Sequence, residues 1–189
     1  PIQRSIMNLE KETGISIMRI GEKLDTGPVC NSYKIEMMAD DNSETISEKL
    51  SALAAEKILD NIDEILEDKI EFREQNHHEA SYAAKIEKAE GQIEWGESAE
   101  NIIGKINGLY PSPGAFFNYN GERYKILRAN LALGIGEIGE VLDNYLEISC
   151  GNRKSIKVQE IQRQGKRPQN ISEFMLGSQI KKGSNLKNA

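Results

Sequence analysis

One stretch commits a large part of this chain to a defined shape: DDNSETISEKLSALAAEKILDNIDEILED, residues 40–68. Ile46, Leu50, Leu53, Ala54, Ile58, Ile62 and Ile65 recur at intervals of three and four. That spacing predicts one amphipathic helix from about Ser43 to Leu66. The Asp, Asn and Ser residues ahead of it are N-cap types, and Thr45 to Glu48 has the spacing of a capping box. Glu and Asp occupy the opposite face. A helix built this way lies on a surface and covers something with its stripe. The stripe therefore reads as core, not as a cofactor box.

The sequence before the helix is β-rich, with a short helical start. Residues 2–9 (IQRSIMNL) put Ile2, Ile6 and Leu9 on one side. ISIMRI at 15–20 and VCNSYKIEM at 29–37 read as strands flanking a GEKLDTGP loop. Residues 67–92 are polar and predict a connector. Two adjacent histidines in a connector, His77 and His78, rarely serve one reaction centre, so neither is expected to be catalytic. Ser98 to Leu109 returns to helical spacing and is stopped by Pro111 and Pro113. Asn120-Gly121 then separates two β-rich runs, a strong hairpin signal. Three further strand signals follow, at 140–142, 145–150 and 155–161. Four or five short antiparallel strands at this spacing predict a small β-barrel. A short helix at 171–176 precedes a Lys/Gly/Ser tail that is expected to fray. The expected organisation is an α/β part over 1–75, a connector over 76–91 and a barrel over 92–189.

Charge sharpens this division. The net charge is −6, yet residues 1–80 carry 9 Lys and Arg against 18 Asp and Glu, whereas residues 151–189 carry 9 against 2. A basic end on an acidic chain has two readings, an anionic partner or a solvated tail. No apolar run approaches the ~18–20 residues of a membrane span, so no membrane partner is expected. Cys30 and Cys150 stand far apart and predict free thiols in a reducing compartment; with two histidines they do not make a zinc pattern. The chain opens on Pro-Ile-Gln, in sequence that already looks structured, and is expected to be part of a longer protein.

Asp25, in LDTGPV, is the residue most in need of an explanation. Aspartate is common in turns; it is also a catalytic acid when a shaped loop holds it still. Composition does not choose between the two.

A resemblance does bear on the choice. PIQRSI, ETGISIMRI and LDTGPV together resemble the second half of the formyltransferase domain of methionyl-tRNA formyltransferases. SYAAKIEKAEGQIEW resembles that family's join between domains. YPSPGAFF resembles the start of its C-terminal barrel, and IQRQGKRPQNISEFMLG the end. The match is collinear from Pro1 to about Gly183. It departs where the family usually carries an Arg-Ala pair and a Trp between two prolines; here those positions are Asn107-Gly108 and Ser112.

The resemblance implies a Rossmann-like catalytic domain followed by an OB-like barrel. It implies transfer of a formyl group from 10-formyltetrahydrofolate to the amino group of initiator methionyl-tRNA, in the bacterial cytoplasm and without a metal. Of the family's Asn, His and Asp, only the Asp has a counterpart, Asp25. Glu22, Lys23 and Leu24 are implied to line the pterin pocket through backbone groups. Lys85 and Lys88 match lysines of the interdomain segment, and these two with Arg163, Lys166 and Arg167 are implied to touch tRNA phosphates. For each cation the other reading is a solvated surface charge. Phe117, Tyr119 and Tyr124 are expected in the core, and Trp95 between connector and barrel. An amino-sugar nucleotide acceptor and a pure tRNA-binding module are the alternatives. Because the Asn and His are not in this sequence, the 189 residues alone are expected to be inactive. A catalytic domain missing its neighbours should also expose apolar surface and self-associate.

Overall fold

The computed structural model describes residues 1–187, apart from the His77 side chain. It begins with α1 (Ile2–Met7), β1 (Glu12–Met18), β2 (Val29–Glu36) and α2 (Ser43–Leu66). The long helix thus has the expected bounds, but its cap differs. The Asn42 side chain accepts the Glu44 and Thr45 amides, and the Thr45 hydroxyl oxygen accepts the Asn42 amide. Thr45 is therefore the closing member of the capping box, not its first. β1 and β2 form a two-stranded antiparallel ribbon. Ile15 and Ile35 on it, and Met37 just after it, pack against a small core of Ile6, Ile46 and Leu50.

The stripe of α2 is covered only at its N-terminal end. Ile46 and Leu50 are buried, Leu53, Ala54, Ile62 and Ile65 are half-buried, and Ile58 is exposed. Further along, a polar contact replaces the apolar one. Buried Asn61 donates to the Tyr33 hydroxyl (2.8 Å) and the Lys57 carbonyl (2.7 Å) and accepts from Asn31 (2.6 Å).

The connector contains two short 3-10 turns, 77–79 and 88–91. Then come α3 (Ala99–Gly108), β3 (Ala115–Tyr119), β4 (Glu122–Ala132), β5 (Glu147–Ser149), β6 (Ser155–Arg163), β7 (Gln169–Asn170) and α4 (Ile171–Gly177). Ser98 caps α3 through its side chain. Asn120 and Gly121 both have positive φ, 51° and 77°, as a tight hairpin turn requires. The sheet order is β3-β4-β6-β5 with β7 beside β6, all pairs antiparallel. No ladder joins β3 to β5 among the described residues, so the expected barrel is an open five-stranded sheet. Its core holds Trp95, Phe117 and Tyr124. Phe117 stacks on Tyr124 (5.4 Å between centroids) and meets Trp95 edge-on (5.8 Å).

The tail does not fray where expected. Ile180 and Leu186 are buried in the sheet's core. The Val141 amide donates to Ser184 O, Gly183 N to Val141 O and Leu186 N to Gly139 O, at 2.8–2.9 Å. Residues 178–187 strap the 138–141 segment, and the spaced Ile and Leu among the lysines are its anchors. Residues 188 and 189 lie outside the described ones.

α1 joins the two parts. It packs on α2 through Ile6 and on α3 through Gly104 and Gly108, one turn apart. A Cβ on Gly108 would stand 2.6 Å from Met7 Cγ and 2.9 Å from the Gln3 carbonyl oxygen. The glycine of the Asn-Gly pair that departs from the resembled family is thus part of the contact surface for α1. Asn107 also donates to Ala39 O (3.3 Å), and Ser43 Oγ to Tyr110 O.

Two stability outcomes are expected. Gly108→Ala gains helix propensity but must push a backbone carbonyl, so urea unfolding should show a net loss of about 1–3 kcal/mol. Ile180→Ala should cost about 2–4 kcal/mol as a core truncation. A cost near zero would mean that the tail does not belong to the core.

Candidate active-site loop and basic cleft

β1 runs into a loop over residues 19–28 that returns as β2. Asp25 sits at its turn with φ of 55°, a left-handed conformation that aspartate tolerates better than most residues. Glu22, Lys23, Leu24 and Asp25 are all exposed, Leu24 at 93%. The loop is nonetheless tied at its base. The Arg19 amide donates to Pro28 O (3.0 Å), and the Thr26 hydroxyl to Lys23 O (3.1 Å). Gly27 is buried against Arg19, where a Cβ would fall inside the van der Waals radius of the Arg19 carbonyl oxygen. Only glycine closes the loop this tightly, which accounts for the Thr-Gly-Pro sequence.

The hold on Asp25 comes from the start of the connector. Val29 and Arg73 exchange amide–carbonyl bonds of 2.9 Å. The Gln75 side-chain amide donates both to Asp25 O (2.9 Å) and to Gly27 O (2.7 Å). Arg19 lies 4.2 Å over the Phe72 ring. Residues 72–75 thus act as a clamp on the loop. Sequence reading missed Gln75, because a side-chain amide standing in for a strand has no local signature.

The second group of expected residues converges on the sheet. Arg163, Lys166 and Arg167 line one cleft of about 360 Å³ with Tyr124, Gln169, Glu173 and Phe174. The Arg163–Gly165 turn and the N-terminus of α4 build its walls. Arg163 is paired with Glu122, which also accepts the Tyr124 hydroxyl (2.8 Å). The paired guanidinium holds Glu122 below the usual carboxylate range. Burial, aided by Glu122, pushes the Tyr124 hydroxyl up to about 12, so it stays a donor. Lys166 and Arg167 are exposed and form no ion pair among the described residues. The cleft can take an anion that competes with Glu122 for Arg163.

Lys85 and Lys88 are not in this cleft. They sit exposed on the connector, where Arg4 of α1 donates to the Lys85 carbonyl (3.0 Å). A larger cleft, about 520 Å³, opens between the α1–β1 turn, residues 37–41, α3 and β4, and contains none of the expected residues. Phe117 and Tyr124 are core residues as expected, and Tyr119 is half-buried with its hydroxyl near Ser184. Both cysteines are free thiols. Burial pushes the Cys150 thiol up to about 12, which disqualifies it as a nucleophile. His78 is exposed. Among the described residues no three His, Cys, Asp or Glu side chains gather as a metal site, and no helix is long and apolar enough to cross a membrane.

Comparison with known proteins bears on this pairing of loop and cleft. Residues 1–62 match the formyl transferase family model, and residues 85–179 match the model for the formyl transferase C-terminal domain. A methionyl-tRNA formyltransferase of Pelagibacter ubique is 69% identical over 188 residues, all of this chain but 61% of the relative. The chain thus spans about three-fifths of that relative's length. Among solved structures, HypX from Aquifex aeolicus, in complex with tetrahydrofolic acid, is similar with a TM-score of 0.72 at 16% identity, over 96% of this chain and 33% of that one. An N-formyltransferase from Helicobacter canadensis, in complex with folinic acid and dTDP-3-aminofucose, gives 0.70 at 21%, over 86% and 60%.

The clamp generates one expectation. In Gln75→Leu, hydrogen exchange at the Val29 and Arg73 amides should quicken about five- to tenfold, the equivalent of one lost net hydrogen bond. Unchanged rates would show that Gln75 does not hold the loop.

Proposed function

This chain belongs to the formyl transferase family, and from that premise we propose that it is part of an enzyme that formylates initiator methionyl-tRNA. The observation that carries the reading is the 69% identity to the Pelagibacter methionyl-tRNA formyltransferase over the whole chain. The donor is 10-formyltetrahydrofolate and the setting the bacterial cytoplasm. In this reading α1, the β1–β2 ribbon and α2 (1–75) end a Rossmann-like catalytic domain. Residues 76–91 are its link, and 92–189 form an OB-like domain.

The chemistry needs an amine to attack a formyl carbon, form a tetrahedral oxyanion and lose a proton. Asp25 is the acid that serves it. Its carboxylate favours a charged imidazolium, the better oxyanion donor, and helps carry the amine proton directly or through a water. The left-handed turn and the Gln75 clamp support this, because they hold the backbone of Asp25 while leaving its side chain exposed. Glu22, Lys23 and Leu24 contact the pterin; an apolar Leu24 this exposed at a loop tip suits a flat aromatic partner. Arg163, Lys166 and Arg167 in one cleft, with Lys85 and Lys88 on the link, contact tRNA phosphates. Such contacts give affinity and position rather than sequence choice. The half-open stripe of α2 supports self-association of the chain, which sedimentation tests directly.

The discriminating experiment is a salt titration of the purified chain with initiator tRNA. Affinity should fall linearly on a log–log plot, and the triple variant Arg163→Ala, Lys166→Ala, Arg167→Ala should flatten the slope by about 2–3. Binding of a dTDP-amino sugar with no tRNA affinity would move the assignment to an amino-sugar nucleotide acceptor. In an enzyme of the relatives' full length, Asp25→Asn should lower formyl transfer at least about 100-fold, the lower range for a lost acid–base group.

A further inference from the structure

Residues 80–87 have no regular secondary structure, and among the described residues no backbone–backbone hydrogen bond engages 80–86. One side chain does the holding. Arg4 Nε donates to Ala84 O (3.0 Å), and Nη2 to Lys85 O (3.0 Å). The same guanidinium forks onto Glu90, 2.6 Å from Oε2 and 3.1 Å from Oε1. Glu90 Oε1 in turn accepts the Glu87 amide (2.7 Å). A planar fork with fixed donors matches a carboxylate and two carbonyls at once, which an ammonium cannot do. Arg4 is itself fixed, because α1 is seated on the glycines of α3.

What the fork holds is a segment that presents Tyr82, 94% exposed, and the exposed Lys85 and Lys88. Left to itself, such a segment samples many conformations, and its lysines pay the ordering cost when a ligand arrives. We propose that Arg4 is a positioning residue that pre-orders the 84–90 segment, so that Lys85 and Lys88 meet tRNA phosphates already in place. The inference rests on the tRNA reading of those lysines and adds a residue that touches no RNA. It also explains why a strongly bonded arginine stands on a helix otherwise devoted to packing.

The test uses the whole chain and unmodified initiator tRNA transcript. Arg4→Met should weaken binding about fivefold near 0.1 M salt and lower the salt slope as far as the double variant Lys85→Ala, Lys88→Ala does. Combining all three substitutions should add nothing to the lysine pair. The hydrogen-bonded amides of Glu87 and Glu90 should exchange faster in Arg4→Met, with the α3 amides unchanged. Arg4→Lys, which keeps charge without the fork, should behave like Arg4→Met. Should thermal unfolding show that Arg4→Met no longer folds, Glu90→Gln carries the same expectations, since it weakens the fork from the other side. Additive losses, or an Arg4→Met protein that binds as tightly as its parent while the lysine pair weakens binding, would overturn the positioning role alone. A lysine pair without effect would overturn the tRNA reading of the connector, and the inference with it.

Discussion

The seat of α1 on α3 is the contact on which the arrangement depends. Six residues of helix touch both cores: Ile6 faces Ile46 and Leu50, and the opposite side rests on Gly104 and Gly108. Without side chains on those glycines the backbones approach closely, and dispersion contacts accumulate over a short helix. The ribbon, α2 and the Asp25 loop are positioned relative to the sheet by this joint. The Ser43, Asn107 and Arg4 bonds are arrayed around it.

A loop proposed to carry a catalytic carboxylate has to be both exposed and still. The molecule meets these demands with different groups. Exposure comes from the left-handed turn at Asp25; stillness comes from Gly27 packed on Arg19 and from the Gln75 amide. The turn reading of Asp25 and the catalytic one are therefore compatible. The conformation that makes aspartate a good turn residue also turns its carboxylate outward.

Local signals were legible. Asn120-Gly121 gave the hairpin, Ser98 the start of α3, and the three-four spacing the full extent of α2. What stayed hidden depends on distant partners. Nothing near Gln75 says that it will serve the backbone of residue 25. The burial of Ile180 and Leu186 depends on a segment some forty residues earlier, so a Lys/Gly/Ser composition misleads. The α2 stripe was correctly found, but its cover is incomplete, and only Asn61 reveals where it turns polar. Within the site, the cleft brought Arg163, Lys166 and Arg167 together because they share one turn, whereas Lys85 and Lys88 belong to another surface.

The strap of residues 178–187 has a consequence for synthesis. A chain leaves the ribosome N-terminus first, and domains generally fold as units in that order. Here the sheet's hydrophobic core lacks Ile180 and Leu186 until that segment has cleared the exit tunnel. The α1–α2–ribbon part emerges earlier, but α1 has to wait for α3 to be docked. Until that strap is in place, the sheet's apolar interior stays open where Ile180 and Leu186 would cover it.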